Sequence, residues 1–160
     1  FGNVMSTFLY SFTPLLMGTA GNCGSQASTT VIRALALDQI APKDFVKVGF
    51  KEVRVALLCS IVLAVANTVR IILMYWWVPE YADYHVALLQ VSLISGVSLI
   101  AIIVIAQLLG SLLPLIAKKL HVDPALMSAP VISTIMDTLS ILIYCLVIVI
   151  TTNTFGWMLP

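Results

Sequence analysis

Charge is scarce in this chain. Asp, Glu, Lys and Arg make up 9% of 160 residues, against 61% for hydrophobic types. A soluble domain carries about 25% charged residues. This shortfall excludes an ordinary water-facing surface, so the surrounding solvent must be largely lipid. The net charge of +1 excludes the broad basic surface that nucleic acid requires. Cysteine is thin as well: Cys23, Cys59 and Cys145 are odd in number and show no CxxC spacing. A disulfide framework and a zinc site are therefore not expected, and the three thiols read as small apolar packing residues. The two histidines, His85 and His121, lie outside the hydrophobic runs. HExxH and GxSxG motifs are missing, and a lone intramembrane aspartate cannot supply an aspartyl protease pair, so an enzyme is not expected. No charged n-region precedes the first apolar segment, which argues against a signal peptide.

What is present is long hydrophobic sequence. About 20 apolar residues suffice to cross a bilayer, and four such segments are legible, over residues 4–37, 55–78, 86–117 and 127–151. The fold class is accordingly all-α, a polytopic membrane helix bundle forming one transmembrane domain over 1–160. The first and third segments exceed the minimum, which predicts tilt, protruding ends or kinks at Pro14 and Pro114. Arg33, Lys43, Lys47, Lys51 and Arg54 cluster between or beside the first two spans, and Lys118 and Lys119 lie between the last two. The loop Pro79 to His85 carries only Glu80 and Asp83. The positive-inside rule makes the basic side cytoplasmic and puts both ends of the chain outside, in a protein of the cell membrane. An external start with an even number of spans leads us to expect at least one further span upstream. Between the first two spans, Ala41 to Glu52 reads as a short amphipathic helix opened by Pro42 and Asp44, lying at the headgroup level. At an offset of 100 residues eight identities recur, among them Pro14/Pro114 and Ser28/Ser128, which suggests a parallel two-helix repeat.

Three features could carry chemistry. Asp137 lies within the last span among Thr134, Thr138 and Ser140, where an ionised carboxylate costs about 2.5–3.5 kcal/mol on insertion scales. Such a group needs a partner, and two fit: Arg70, the other charge well inside a span, or a bound cation. In the first span, Gly18, Gly21 and Gly24 allow close helix approach, while Asn22 and Gln26, four apart, share one face. That segment suits either helix packing or the wall of a water-lined pore. In the third feature, Asp123 and Pro124 read as a cap and first helical residue, and Pro130 is expected to loosen the backbone and free carbonyl oxygens. Oxygen ligands of this kind suit Mg²⁺ and Ca²⁺.

The run Gly21-Asn22-Cys23-Gly24-Ser25-Gln26-Ala27-Ser28-Thr29, followed by Val31-Ile32-Arg33-Ala34-Leu35-Ala36, resembles the signature of the MgtE family of Mg²⁺ channels and transporters, which includes solute-carrier relatives. Asp123-Pro124-Ala125-Leu126-Met127-Ser128-Ala129-Pro130 with Thr134-Ile135-Met136-Asp137 is similar to that family's last-span motif. The resemblance implies a homodimer of five-span subunits with an ion path near the dimer axis and cytoplasmic regulatory domains preceding the membrane part. It implies that Asp137 binds Mg²⁺ and that Ser133 offers a backbone carbonyl. Asn22, Gln26, Thr134, Ser128 and Gly21 are the expected pore-lining or interface residues. Ala129 departs from the glycine often found there. Mg²⁺ sheds water reluctantly, so one carboxylate per chain suits a hydrated ion shared between two chains. The rivals are a Na⁺- or H⁺-coupled transporter of Mg²⁺ or another divalent cation, and a structural membrane module held by an Asp137–Arg70 pair.

Overall fold

The computed structural model describes residues 9–77, 85–127 and 129–155, and among them all regular structure is helical. Four long helices follow in order: α1 (Thr13–Ala36), α2 (Phe45–Trp77), α3 (His85–Lys119) and α4 (Ala129–Phe155). A single 3₁₀ turn, Pro124–Leu126, lies between α3 and α4. At 1.5 Å per residue, the 33 residues of α2 and 35 of α3 reach about 50 Å. The hydrocarbon core of a bilayer is only about 30 Å thick, so both helices extend past it.

Composition separates α1 from the rest. α2, α3 and α4 are each long and apolar enough to cross a membrane. α1 has the length, at 24 residues, but Gly, Asn, Gln, Ser and Thr dilute its apolar content between Gly18 and Thr30. Pro14 opens α1 within its first two positions, where a missing N–H costs nothing, so it does not kink the helix. Pro114 lies inside α3, and the helix runs on through it to Lys119.

Helix α3 is the centre of the arrangement. It packs along α2 on one side and along both α1 and α4 on the other. α1 and α3 run in the same direction: Gly24 meets Gly110, and further along both helices Val31 and Leu35 join Leu115 in a second buried cluster. This agrees with the direction expected of the first and third spans. The main core lies where the helices converge, with Phe12, Leu16, Ile94, Ile102, Ile103, Ile132 and Met136 all at 2% exposure or less. α2 is peripheral and turns Leu58, Ile61, Val62, Val65 and Leu73 outward. In water such a stripe would be an aggregation hazard; against lipid tails it needs no further partner.

The segment Ala41 to Glu52 departs from expectation. It is not a separate interfacial helix. The Asp44 carboxylate accepts from the Ala41 N–H at 2.8 Å and its carbonyl from Val48 N–H at 2.9 Å, and from Phe45 onward the residues are the opening turns of α2. Nothing between Glu52 and Val55 breaks a helix, and a Cβ on Gly49 would stand 3.9 Å from Leu108 and Leu112 of α3. Val48 and Glu52 are buried, so packing against α3 fixes this segment rather than the headgroup layer.

The close approach of α1 to α3 gives a direct test. A Cβ added to Gly110 would overlap the Gly24 backbone, whereas one added to Gly18 meets nothing within 4 Å. Overpacking of this kind costs about 1–3 kcal/mol. We expect Gly110→Ala to lower the thermal midpoint of the detergent-solubilised protein and Gly18→Ala to leave it unchanged or raise it. Equal midpoints for Gly110→Ala and the wild type would contradict the contact.

Candidate functional site

The crossing of α1 and α4 builds the site. The two helices run antiparallel, as three contacts establish. At one end the Tyr144 hydroxyl donates to the Leu9 carbonyl at 2.9 Å. In the middle, a Cβ on Gly21 would stand 3.4 Å from Ser133 Oγ. At the other end Ser28 Oγ donates to the Met127 carbonyl at 2.6 Å. Met127 is the C-cap of the 3₁₀ turn Pro124–Leu126, and its carbonyl, past the end of that turn, takes its bond from Ser28. Ser128, expected to line the same region, lies outside the described residues.

Glycine makes this crossing tight. A Cβ on Gly24 would stand 2.9 Å from Ile132 Cγ2 and 3.3 Å from the Ala106 carbonyl oxygen. Gly21 and Gly24 therefore sit in the contact face, as small residues at helical spacing predict. Gly18 is exposed and does not contribute.

Helical phase then sorts the polar residues. Successive residues are about 100° apart. Going round α1 from Gly21, the order on one side is Ser25, Gly18, Thr29, Asn22, Gln26. Going round α4 from Ser133 the same way, the order is Asp137, Pro130, Thr134, Thr138. Because the helices are antiparallel, these two sides form one continuous flank. The opposite side is closed by α3, where Gly24, Ile132 and Met136 are buried. On the open flank Asn22, Gln26, Thr29, Thr134 and Thr138 are exposed, and Ser25, Ser133 and Asp137 are partly exposed. Asn22 and Gln26 thus share a face as expected, but they stand beside the α1–α4 contact, not within it.

The hydroxyls of this flank have a common orientation. Ser25 donates to Asn22 O, Thr29 to Ser25 O and Thr30 to Gln26 O, at 3.1, 2.8 and 2.9 Å. On α4, Ser133 donates to Ala129 O, Thr134 to Pro130 O and Thr138 to Thr134 O, at 2.8, 2.9 and 3.3 Å. Each hydroxyl spends its hydrogen on its own helix, leaving oxygen lone pairs for whatever lies outside. Together with the Asp137 carboxylate, the flank is rich in acceptors.

The Asp137 carboxylate has no hydrogen-bond or ion-pair partner among the described residues, whereas its backbone carbonyl accepts from Ser140 Oγ at 3.0 Å. Arg70 is not its partner. The Arg70 guanidinium donates to Asn67 Oδ1 at 3.1 Å and lies 4.9 Å above the centre of the Phe12 ring. Asn67 is buried and donates in turn to Ser95 Oγ at 2.9 Å. This network engages Arg70 with Asn67 and Phe12 rather than with Asp137, so the structural pairing that would have explained Asp137 is not made. Among the described residues no three His, Cys, Asp or Glu side chains converge, so a single chain offers one carboxylate here.

Two further expectations change. Pro130 does not loosen α4, because it falls in the first turn of a helix that begins at Ala129. Asp123 does cap a helix start, accepting from Ala125 N–H at 2.9 Å, but the helix is the 3₁₀ turn and not the span. One buried acidic residue stands outside the sequence expectations. Glu52 is 5% exposed on the α2 face toward α3, where Gln107 Nε2 donates to it at 3.0 Å. An amide in the otherwise apolar run Val104 to Leu109 was the signal, since a polar group in such a run needs a partner.

Comparison with known proteins agrees with this reading of the sequence. Residues 13–147 match the profile of the MgtE family, described as a divalent cation transporter. The magnesium transporter MgtE of Thermus thermophilus is 39% identical over 138 residues, covering 86% of this chain and 28% of that protein. The Bacillus subtilis magnesium transporter MgtE is 34% identical over 137 residues, covering 83% of this chain and 27% of its own length. The chain therefore spans little more than a quarter of the curated relatives it matches.

Accessibility distinguishes the polar flank from the lipid-facing surface. In a background with the other native cysteines replaced, Gln26→Cys should react with a charged, membrane-impermeant thiol reagent. Cys59, exposed on the apolar outer face of α2, should react far more slowly when it is the sole thiol. Equal rates would mean that the flank is no wetter than the outside of α2.

Proposed function

The chain belongs to the MgtE family of divalent cation transporters, and we propose that it forms the pore-bearing membrane part of a Mg²⁺ channel or transporter that works as a homodimer. The observation that carries this reading is the acceptor-rich flank of α1 and α4, with Asp137 on it and no partner for that carboxylate within the described chain. All four helices span the bilayer in this proposal, α1 included, because its polar residues face the flank rather than lipid. Asp137 lies eight residues, about 12 Å, into α4, deep enough that an unpartnered charge would be costly.

A hydrated Mg²⁺ fits this surface. The ion holds its six waters tightly and is usually bound through them. Water ligands on a cation are strong donors, and the flank offers them hydroxyl oxygens, the Asn22 and Gln26 amide oxygens, and a carboxylate. Two copies related by a two-fold axis would place one Asp137 on each side of the ion and balance its charge of two. Without the ion, the two carboxylates repel. Selection then rests on the size and donor pattern of the hydrated ion. The Ser133 backbone carbonyl, proposed as an assisting ligand, is one turn before Asp137 on the same flank. Gly21 keeps that approach clear.

Orientation follows from charge. Lys43, Lys47, Lys51, Arg54, Lys118 and Lys119 lie at one end of the bundle, and we assign that end to the cytoplasm of a cell-membrane protein. Relatives about three times as long as this chain have room for cytoplasmic regulatory domains. The relatives named above are transporters, and no enzymatic step is part of this proposal.

The test is Mg²⁺ flux into proteoliposomes carrying the full-length protein. Asp137→Asn retains shape and removes charge; losing a charged hydrogen-bonding group costs about 1.5–3 kcal/mol, so flux should fall about tenfold to a hundredfold at equal protein abundance and unchanged dimer content. The double swap Asp137→Arg with Arg70→Asp should not restore it. Wild-type flux in Asp137→Asn, or rescue by the swap, would refute the site.

A further inference from the structure

A second polar feature lies outside the proposed ion path. Between the last turns of α1 and the first turns of α2 is an open cleft of about 570 Å³, walled by Val31, Ala34 and Val55 among others. Lys47, Lys51 and Arg54 line it. They fall at i, i+4 and i+7, and so on one face of α2. Arg54 is held in place by the Phe50 ring, whose centre is 4.7 Å from the guanidinium carbon. Below the three cations, the exposed face of α2 becomes wholly apolar through Val55, Leu58, Val62 and Val65.

We infer that this cleft is a binding site for one anionic phospholipid, with its phosphate among Lys47, Lys51 and Arg54 and an acyl chain along the apolar face of α2. The inference rests on the bilayer placement proposed above, which sets this end of α2 at the cytoplasmic headgroup level. Charge decides the class of ligand. Glu52 also lines the cleft, but its carboxylate takes a hydrogen bond from Gln107 and has the Lys51 ammonium at 3.9 Å. The site stays net positive by two charges. Position decides the source. The apolar walls offer a soluble anion little to bind, whereas a lipid fills them with its own chain. The cytoplasmic leaflet is where anionic lipids concentrate and where basic pockets between spanning helices hold their headgroups.

The experiment uses the full-length protein equilibrated with vesicles of equal phosphatidylglycerol and phosphatidylcholine content, followed by native mass spectrometry of the lipids that remain bound. Retention should favour phosphatidylglycerol. Each cation is worth about a fivefold change in binding of an anionic lipid, so Lys47→Gln with Arg54→Gln should lower that preference about 25-fold and leave phosphatidylcholine retention unchanged. Arg33→Gln removes a cation that does not line the cleft and should have no effect, which separates a site from diffuse attraction. An unchanged preference in the double variant, or an equal loss in Arg33→Gln, would overturn the inference. Displacement of the lipid by millimolar glycerol phosphate would also overturn it, in favour of a soluble anion. Mg²⁺ flux plays no part in the readout, so failure here is distinct from failure of the transport reading.

Discussion

Helix α1 reaches the middle of the bundle only because two backbones touch. Gly24 and Gly110 meet with no side chain between them, and Gly21 admits Ser133 on the adjoining face. Lipid tails are as apolar as leucine, so no hydrophobic force drives these helices together. Close packing and interhelical hydrogen bonds must hold them instead. A methyl group at Gly110 would force the pair apart at a cost of about 1–3 kcal/mol, whereas polar contacts such as Asn67–Ser95 contribute about 0.6 kcal/mol on average in membranes. The glycine contact is therefore the stronger constraint.

That contact also decides which residues are left facing outward. With Gly21, Gly24, Ala27 and Ser28 committed to α3 and α4, helical geometry leaves Asn22, Gln26 and Thr29 no place but the free flank. The same holds on α4, where Ile132, Met136, Ser140 and Tyr144 are buried and Asp137, Thr134 and Thr138 follow on the open side. The packed face and the polar flank are thus two sides of one periodicity. The hydroxyls bonded back to their own helices add directionality, since a surface of oxygen acceptors favours the water donors of a hydrated cation over an anion.

Much of this was legible in the sequence. Scarce charge gave the membrane bundle, and the positions of α3 and α4 lie within a few residues of the hydrophobic runs. Asp137 stood out because a charge within an apolar span needs an explanation. Other features depended on tertiary contacts that a linear pattern does not carry. Ala41 to Glu52 has the alternation of an interfacial helix, yet nothing in it records that Val48 and Glu52 meet α3. Pro130 looked like a source of free carbonyls because the start of α4 at Ala129 is set by the preceding 3₁₀ turn. Arg70 and Asp137 looked like partners because depth alone could be compared, and the ring of Phe12 that takes Arg70 is 58 residues away in sequence.

The central claim is that the flank bearing Asp137 in one copy faces the same flank of a second copy across the ion path. Site-directed cross-linking in native membranes tests it most directly. Single cysteines at position 137, or at position 142 on the outward apolar side of α4, are placed in a full-length cysteine-free protein and treated with a short bismaleimide. The account predicts covalent dimers from position 137 and almost none from position 142. Efficient dimer formation from 142 with none from 137 would contradict it.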